Sequence, residues 1–264
     1  MNRLTALSLT LILTFGLVGP ATAQSPIGTD RPGLGFNPAL VAPGVVQFET
    51  GLPSVGLSNT GSADVQSYGV PVALRVGLVD RLEFRLGNSP YQRTTTDVDG
   101  GPKTTADGFG DLEASFKMGV RGEDDGSPSL AFIPAIVLPT GTDEVSTGAP
   151  GAPAYSVNAT SGWALGSAGL TTVAGLSATP TGGDYQTQGA FVAVLGRGLT
   201  SSLSGYVEVG AYPTEEADNE SYTGGGLALL ASPNVQLDAF VLRGLTDVST
   251  DWQFGLGLSA RLLP

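Results

Sequence analysis

The chain has 264 residues, with 12 basic and 24 acidic side chains, and it contains neither cysteine nor histidine. These absences exclude disulfides, thiolate metal sites, cysteine nucleophiles and histidine bases, so we expect no enzyme activity, no cofactor and no metal site. The acidic balance argues against a nucleic-acid partner, which requires a basic surface. The 39 glycines are about twice the usual share, which favours strands and turns over helices.

The first residues have the pattern of a secretory signal peptide. A short basic start, residues 1–3, precedes an apolar stretch, residues 4–18. Ala21-Thr22-Ala23 then offers small residues at the two positions that signal peptidase reads. We expect cleavage after Ala23, so that the mature chain begins at Gln24. The chain has no lipobox cysteine, so we expect no lipid anchor.

The remainder of the chain shows alternation of apolar and polar residues instead of long helical patterns. No apolar run after the signal approaches the roughly 20 residues of a transmembrane helix. The last segment is the clearest, because six apolar residues from Trp252 to Leu262 alternate with small or polar ones. We predict twelve strands, at about residues 44–52, 67–78, 81–88, 109–120, 129–138, 154–160, 163–174, 187–197, 202–211, 221–230, 234–243 and 251–262.

The stretch FGDLEASFKMGV, residues 109–120, fits two structures. Glu113 and Lys117 have the spacing of a helical ion pair. Every second residue from Leu112 to Val120 is also apolar, which is the pattern of a strand. Since the other segments also have an apolar residue at every second position, we interpret the stretch as a strand whose apolar row faces lipid. Glu113 and Lys117 would then need partners on a neighbouring strand, with Glu83 and Arg85 as the nearest candidates.

The connections and the two faces of the strands favour a membrane barrel. Short and long connections mostly alternate along the chain, as in an up-and-down barrel with short periplasmic turns and longer outer loops. One face is apolar and nearly free of charge, as lipid requires, whereas the other is rich in Gly, Ser and Ala, which suits a narrow lumen. We predict an all-β fold, a transmembrane antiparallel up-and-down β-barrel of about twelve strands, with ten to fourteen as the range. The aromatic residues predicted at the membrane interfaces are Phe48, Tyr68, Phe109, Trp163, Tyr206, Tyr212, Tyr222 and Trp252.

Projection of these strands places a set of charged side chains in the lumen. One hypothesis is a charged constriction that selects polar or amphipathic solutes. The other is an internal ion-pair network that fills and stiffens a narrow barrel. The candidate lumen-lining residues are Glu49, Arg75, Glu83, Arg85, Glu113, Lys117, Glu208, Asp238 and Arg261.

Several short motifs make the chain similar to a known family. Two of them supply candidate family residues: Asp30, Arg31 and Pro32 near the mature N-terminus, and Gly110 and Asp111 at the start of a central strand. The other similar stretches are residues 42–51, 235–238, 243–246 and 252–261. With these motifs the chain resembles the outer-membrane transporter-like β-barrels named for a meta-pathway of phenol degradation, and the likeness spans most of the mature chain. Many such barrels end in an aromatic residue that assists assembly, whereas this chain ends Leu262-Leu263-Pro264.

The resemblance implies a function and a location. We expect a cleaved signal peptide over residues 1–23, a periplasmic or lumenal segment over residues 24–43 and a β-barrel over residues 44–264. The family implies a passive channel or uptake protein of a Gram-negative outer membrane for small, hydrophobic or aromatic solutes. The expected partners are outer-membrane lipid and lipopolysaccharide, the barrel assembly machinery and a small-molecule solute. The alternative is a secreted or periplasmic soluble β-sandwich that binds a ligand.

Overall fold

The computed structural model describes residues 25–122, 127–146, 151–215 and 217–263, and the predicted signal peptide lies outside these ranges. No helix in the described ranges is long and apolar enough to cross a membrane. The strands are β1 (Val46–Asn59), β2 (Ala63–Gly69), β3 (Val72–Val79), β4 (Leu82–Asn88), β5 (Gln92–Val98), β6 (Thr104–Gly108), β7 (Leu112–Arg121), β8 (Ser129–Leu138), β9 (Ala154–Leu165), β10 (Ala168–Thr181), β11 (Asp184–Gly198), β12 (Leu203–Tyr212), β13 (Glu220–Ser232), β14 (Val235–Gly244) and β15 (Trp252–Leu263).

The strands form one antiparallel sheet that closes on itself. Sheet order follows β3, β4 and β7 to β15, and β15 then pairs with β1, which also pairs with β3. These twelve strands make a closed barrel, which confirms the predicted architecture. The alternative of a soluble sandwich is wrong, because a sandwich needs two separate sheets, whereas here a single sheet has no open edge around the ring.

The two ends of the barrel differ in their connections. We call the end where β1 begins and β15 ends the proximal end, and the opposite one the distal end. Proximal connections, such as residues 80–81, 166–167 and 233–234, are tight. At the distal end, β2, β5 and β6 lie in line with β3, β4 and β7 across short interruptions. β2 pairs with the second half of β1, β5 pairs with β2, and β6 pairs with β5. The interruptions lie side by side, so a small distal sheet extends beyond the barrel on one side only.

Apolar side chains lie on the outside of the barrel and charged ones lie inside. Val207, Phe191 and Leu256 are 56–60% exposed, whereas Arg75 and Lys117 are fully buried. This arrangement reverses that of a soluble protein. The outward apolar rows therefore require a surrounding apolar phase, as the hydrocarbon of a membrane provides.

The stretch at residues 112–121 is strand β7, as its period-two pattern predicts. Phe116 and Met118 are exposed on the outer face, and Phe116 packs against Phe84 of β4 with ring centroids 5.5 Å apart. Ser115 and Lys117 are buried on the inner face. The helical ion-pair spacing in this stretch is therefore incidental.

One predicted turn is wrong. Residues 161–162 lie inside β9, and the actual turn to β10 is at residues 166–167. Gly162 is needed for close approach and not for a turn, because a methyl group added there would lie 2.6 Å from Ser129 Oγ and 2.8 Å from Pro38 Cγ. A Ser-Gly pair in sequence does not distinguish these two uses of glycine.

Several predicted loops are strand as well. Most of residues 53–66, 89–108 and 175–186 belong to β1, β2, β5, β6, β10 and β11. In β5 and β6 the exposed positions are mostly polar, such as Arg93, Thr94 and Thr104, so these strands show no apolar row. An alternation rule that looks for lipid contact therefore ends each strand too early.

The predicted aromatic positions divide between the two faces. Trp163, Trp252 and Phe109 are 45–47% exposed, as expected for side chains outside the barrel. Tyr222 is only 5% exposed and faces the lumen, and Tyr206 and Tyr212 share the inner row of β12 with buried Glu208. An interface position for these three tyrosines is therefore wrong.

Candidate functional site: a lumenal segment and its anchors

Residues 25–45, here called the lumenal segment, run inside the barrel. The segment begins at the proximal end, where Ile27 N donates to Pro233 O, and returns there, where Gly44 N donates to Gly77 O. Between these points it contacts the inner faces of β14, β12, β11, β9, β7, β4 and β3 in turn. The contacts that mark this course are Thr29 with Gln236, Leu34 with Glu208, Gly35 with Val194, Phe36 with Thr160, Leu40 with Gly119, Val41 with Glu83 and Ala42 with Gly77.

The predicted lumen-lining residues lie on the inner rows of their strands. All of them except Glu113 and Arg261 are at most 8% exposed. Glu113 lies nearer the distal end and accepts a hydrogen bond from Ser115 Oγ at 3.4 Å. Arg261 lies at the proximal rim, where it donates to Asn234 Oδ1 and Ser25 O.

Asp30 of the lumenal segment meets three cations of the wall. Its carboxylate lies 2.8 Å from Lys117 Nζ, 2.9 Å from Arg85 Nη2 and 3.6 Å from Arg75 Nη1. We call the inner face of β1, β3, β4 and β7 around this contact the charged wall. Sequence reasoning assigned Asp30 to a family motif but did not predict that it pairs with these lumenal cations.

The charged wall is electrostatically complete only when the segment is in place. Arg75 Nη1 lies 2.8 Å from Glu49 Oε1, and Arg75 Nε lies 2.7 Å from Glu83 Oε1. With Asp30, three carboxylates therefore match the cations Arg75, Arg85 and Lys117. Without Asp30 the wall would carry one uncompensated positive charge in a buried site, which is strongly unfavourable.

The ionisation of Asp30 follows from this setting. Burial alone would raise the pKa of its carboxyl group, but Arg75, Lys117 and Arg85 together lower that pKa far below the ordinary value of 3.8. Asp30 is therefore an anion at any physiological pH.

The cross-strand pairing expected for Lys117 differs from the observed one. Lys117 and Glu83 are opposite each other in the β4–β7 register, as expected. Lys117 Nζ nevertheless binds Asp30 and also donates to Asn37 O at 2.7 Å. Glu83 instead binds Arg75 and accepts from the backbone N–H of Val41 at 2.8 Å. The lumenal segment thus replaces a strand-to-strand pair with two strand-to-segment contacts.

Backbone groups of the segment are also held by wall side chains. Gly28 O accepts from Gln47 Nε2 at 2.9 Å, and Leu34 N donates to Glu208 Oε2 at 2.7 Å. The guanidinium of Arg85 lies over the ring of Phe36, 5.4 Å from its centroid. Since these groups have no regular secondary structure of their own, the wall supplies the partners that buried backbone needs.

Arg31 makes a second and less complete anchor. Its Nη2 lies 3.2 Å from Asp238 Oδ1 and donates to Leu256 O at 3.2 Å. Within the described residues, Arg31 Nε and Asp238 Oδ2 are buried and have no hydrogen-bond partner. Adjacent Pro32 lines a cavity of about 250 Å³. The Asp30-Arg31-Pro32 motif therefore places an anion on one side of the lumen and a cation on the other.

The second family motif holds a distal loop. Asp111, at the interruption between β6 and β7, accepts from Gly141 N at 2.8 Å and from Ser146 Oγ at 2.8 Å. Gly110 N donates to Ser89 O across the neighbouring interruption, which closes the gap between two strands. A side chain at Gly141 would meet the backbone of Phe109 at 2.7 Å, so the loop fits closely against the motif.

Space remains inside the barrel on both sides of the lumenal segment. A distal cavity of about 580 Å³ lies between the strands and the loop held by Asp111. A proximal cavity of about 250 Å³ lies between the segment and the inner face of β10, β11 and β12, and an adjoining one of about 340 Å³ is lined by the proximal ends of these three strands. No cluster of three or more metal-binding side chains occurs in the described ranges.

A family model with the description "Putative MetA-pathway of phenol degradation" matches residues 29–262. The chain belongs to this family. The match includes the lumenal segment from Thr29 onward and both anchoring motifs, so the resemblance expected from the sequence is confirmed. No curated protein sequence matches the chain significantly.

Solved structures agree with the family on the fold. An outer membrane channel from Pseudomonas putida is 14% identical, with a TM-score of 0.65, and the match covers 85% of this family member and 97% of that chain. The translocator domain of the autotransporter NalP from Neisseria meningitidis is 12% identical, with a TM-score of 0.55 and coverages of 84% and 90%. The NanC porin is 9% identical, with a TM-score of 0.53 and coverages of 82% and 100%. The family member is thus a β-barrel of the outer-membrane type.

Proposed function

We propose that this protein is a passive channel of the outer membrane for small solutes, and that the lumenal segment sets its width. The observation that carries the proposal is a lumen that is narrowed but not filled. The segment is fixed on the charged wall through Asp30, whereas cavities of about 250 and 340 Å³ remain on the other side. The charged residues of the wall therefore serve both purposes, since they form an ion-pair network and, by holding the segment, narrow the lumen.

The solute class follows from the lining and from the family. Many charged groups of the lumen are already paired with one another, so a permeating ion would have to compete with these pairs. The family description refers to phenol degradation, which supports small aromatic or otherwise hydrophobic compounds as solutes. The channel carries out no chemistry on them, and it requires no cofactor and no nucleic-acid partner.

The proposal includes a route to the membrane and a set of partners. Residues 1–23 direct export across the inner membrane and are then removed, and the barrel assembly machinery inserts the mature chain. The outward apolar rows contact lipid, and the distal end meets lipopolysaccharide. The proximal end with its tight turns then faces the periplasm. A mature N-terminus at Gln24, measured by mass spectrometry of the purified protein, would support this route, and retention of residues 1–23 would contradict it.

Conductance and solute uptake test the channel function. Purified protein in a planar bilayer is expected to give small, steady current steps. Proteoliposomes that contain it are expected to swell in a small uncharged solute faster than liposomes without protein. A correctly folded barrel that gives neither current nor swelling would contradict the proposal.

A further inference from the structure

The two proximal cavities are parts of one gap beside the lumenal segment. The 250 Å³ cavity and the 340 Å³ cavity share Thr171, Val194, Ser204 and Tyr206 as lining residues. The first reaches Phe36 of the segment, and the second reaches the proximal turns at Ser167 and Gly198. The gap therefore leads from the segment to the proximal opening along β10, β11 and β12.

Three glycines at the proximal end of this inner face have no packing role. We call the inner face that carries Gly169, Gly196 and Gly198 the glycine wall. A methyl group added at any of these three would approach no other atom closer than 3.8 Å. At Gly77 a methyl group would lie 1.9 Å from Ala42 O, and at Gly224 it would lie 2.1 Å from Val241 O.

The difference identifies what the glycine wall provides. Gly77 and Gly224 allow close approach of the backbone, which is the usual reason for glycine within a strand. Gly169, Gly196 and Gly198 do not have a positive φ either, so neither backbone conformation nor packing requires them. Their effect on the structure is to leave lumenal volume unfilled at the proximal opening.

The chemistry of the gap fits uncharged solutes. Its shared lining consists of two hydroxyl groups, one aliphatic side chain and the phenol ring of Tyr206. Asp30 and Arg31 border it, but both form ion pairs with the barrel wall. Arg197 also lines the outer end of the gap, but it is exposed and lies on the outer row of β11. A small solute with an apolar body and one hydroxyl group would therefore find both apolar and hydrogen-bonding contacts there.

We propose that small uncharged solutes cross the proximal constriction through the gap that residues 35–37 border on one side and the glycine wall on the other, past the contact of Gly35 with Val194, while the lumenal segment stays anchored on the charged wall. The inference rests on the proposed channel function and adds the route and the solute class. It differs from a mechanism in which the whole segment leaves the lumen to open the channel.

Because the natural chain has no cysteine, a single introduced thiol can test the route in the folded channel. In the variant Gly196→Cys the side chain has room, since the nearest atom to its Cβ would be 3.8 Å away. The channel is reconstituted first and then treated with a bulky uncharged methanethiosulfonate reagent during recording. We expect modification to reduce the current and the uptake of a small uncharged solute, and a reductant to restore both.

Two controls separate the possible causes. Leu199→Cys lies in the adjoining proximal turn, where Leu199 is 56% exposed, so it should react without reducing the current. Ser115→Cys lies on the charged wall, where Ser115 is 2% exposed, so it should not react. Mass spectrometry of the recovered protein reports which thiols carry the adduct.

The outcomes distinguish the route from the function. Suppose that the Gly196→Cys channel conducts and that the reagent does not change its current. Whether the thiol carries the adduct without effect or never reacts, the assigned route is then wrong, while the channel function stands. If neither the natural protein nor the variant conducts, the channel function itself fails. Equal loss of current after modification at Leu199→Cys would also overturn the assigned route.

Discussion

The charged wall and the glycine wall lie on opposite sides of the lumenal segment and differ in almost every respect. On the charged wall, long side chains such as Arg75 and Lys117 are fully buried, and their charges are matched by Asp30, Glu49 and Glu83. On the glycine wall the inner positions are small, and space remains. The difference shows that one element can be held firmly and still leave a passage, because the ion pairs of Asp30 and the free volume lie on different strands.

The largest effect is expected from loss of the carboxylate that joins the segment to the charged wall. Asp30→Ala leaves Arg75, Arg85 and Lys117 facing only Glu49 and Glu83. Removal of one partner of a buried ion pair costs roughly 3–5 kcal/mol in measured cases. We expect the lumenal segment to detach, so that proteinase K trims residues 25–45 of the folded variant but not of the natural protein.

A surface pair provides the matched control for that variant. Asp97 also pairs with a cation, Lys103, at 3.7 Å, but both side chains are more than half exposed. Asp97→Ala should therefore change stability by at most about 1 kcal/mol and leave the segment protected. Equal protease resistance of Asp30→Ala and the natural protein would contradict the anchoring role of Asp30.

A smaller effect is expected at the distal end. Asp111→Ala removes the acceptor for Gly141 N and Ser146 Oγ, and an unsatisfied buried donor costs about 1–3 kcal/mol. We expect faster proteolysis within residues 139–146 while the lumenal segment stays protected. Asp143→Ala, an exposed carboxylate of the same loop, is the control. Release of the lumenal segment by Asp111→Ala would show that the two anchors are coupled, contrary to this account.

Among the substitutions of charged residues, one at the distal end of the barrel should reduce stability only slightly. Arg243 lies over the ring of Trp252, 5.0 Å from its centroid, and 3.2 Å from Asp251 Oδ1, with its side chain 44% exposed. Arg243→Ala should lower stability by no more than about 1 kcal/mol, measured as the temperature at which the barrel loses its heat-modifiable gel mobility. A shift as large as that of Asp30→Ala would remove the distinction between lumenal and surface pairs.

No effect at all is expected from mild acid on the charged wall. The pKa of Asp30 is lower in the folded protein than its ordinary value of 3.8, so its contribution to stability is complete above that value. The contribution is lost only as the pH falls through the still lower folded pKa. Protease protection of residues 37–41, which lie against the charged wall, should therefore be the same at about pH 7 and about pH 4.5. Loss of protection at these residues at the lower pH would mean that Asp30 is not held as described.

The sequence predicts the barrel better than it predicts the site. Alternation from Trp252 to Leu262 reflects a requirement of lipid at every second position, so it can be read directly from the chain. The same rule misses β5 and β6, which it assigns to a loop at residues 89–108, because the exposed residues of these two strands are mostly polar. Gly162 shows a second limit of sequence-based prediction, since the sequence does not distinguish a glycine required for close packing from one required for a turn.

The partners of the charged wall could not be predicted from spacing. Asp30 and Lys117 are 87 residues apart, and Arg31 and Asp238 are 207 apart, so these pairs exist only after the barrel has closed around the segment. Arg75, Glu83 and Lys117 alternate with apolar residues, so the sequence predicts them on inner rows, and the structure has them buried there. The carboxylate that balances the positive charge of the wall comes from a segment with no periodic pattern. The motif Asp30-Arg31-Pro32 was the only feature of the sequence that drew attention to that segment.

Single-channel conductance of the natural protein beside that of Asp30→Ala tests the central claim most directly. With the segment anchored, the natural protein should give small, steady steps, because only the gap at the glycine wall conducts. Asp30→Ala should give steps several-fold larger and noisier, because the segment no longer narrows the lumen. Identical conductance in the two proteins would contradict the claim that the segment anchored through Asp30 sets the width of the channel.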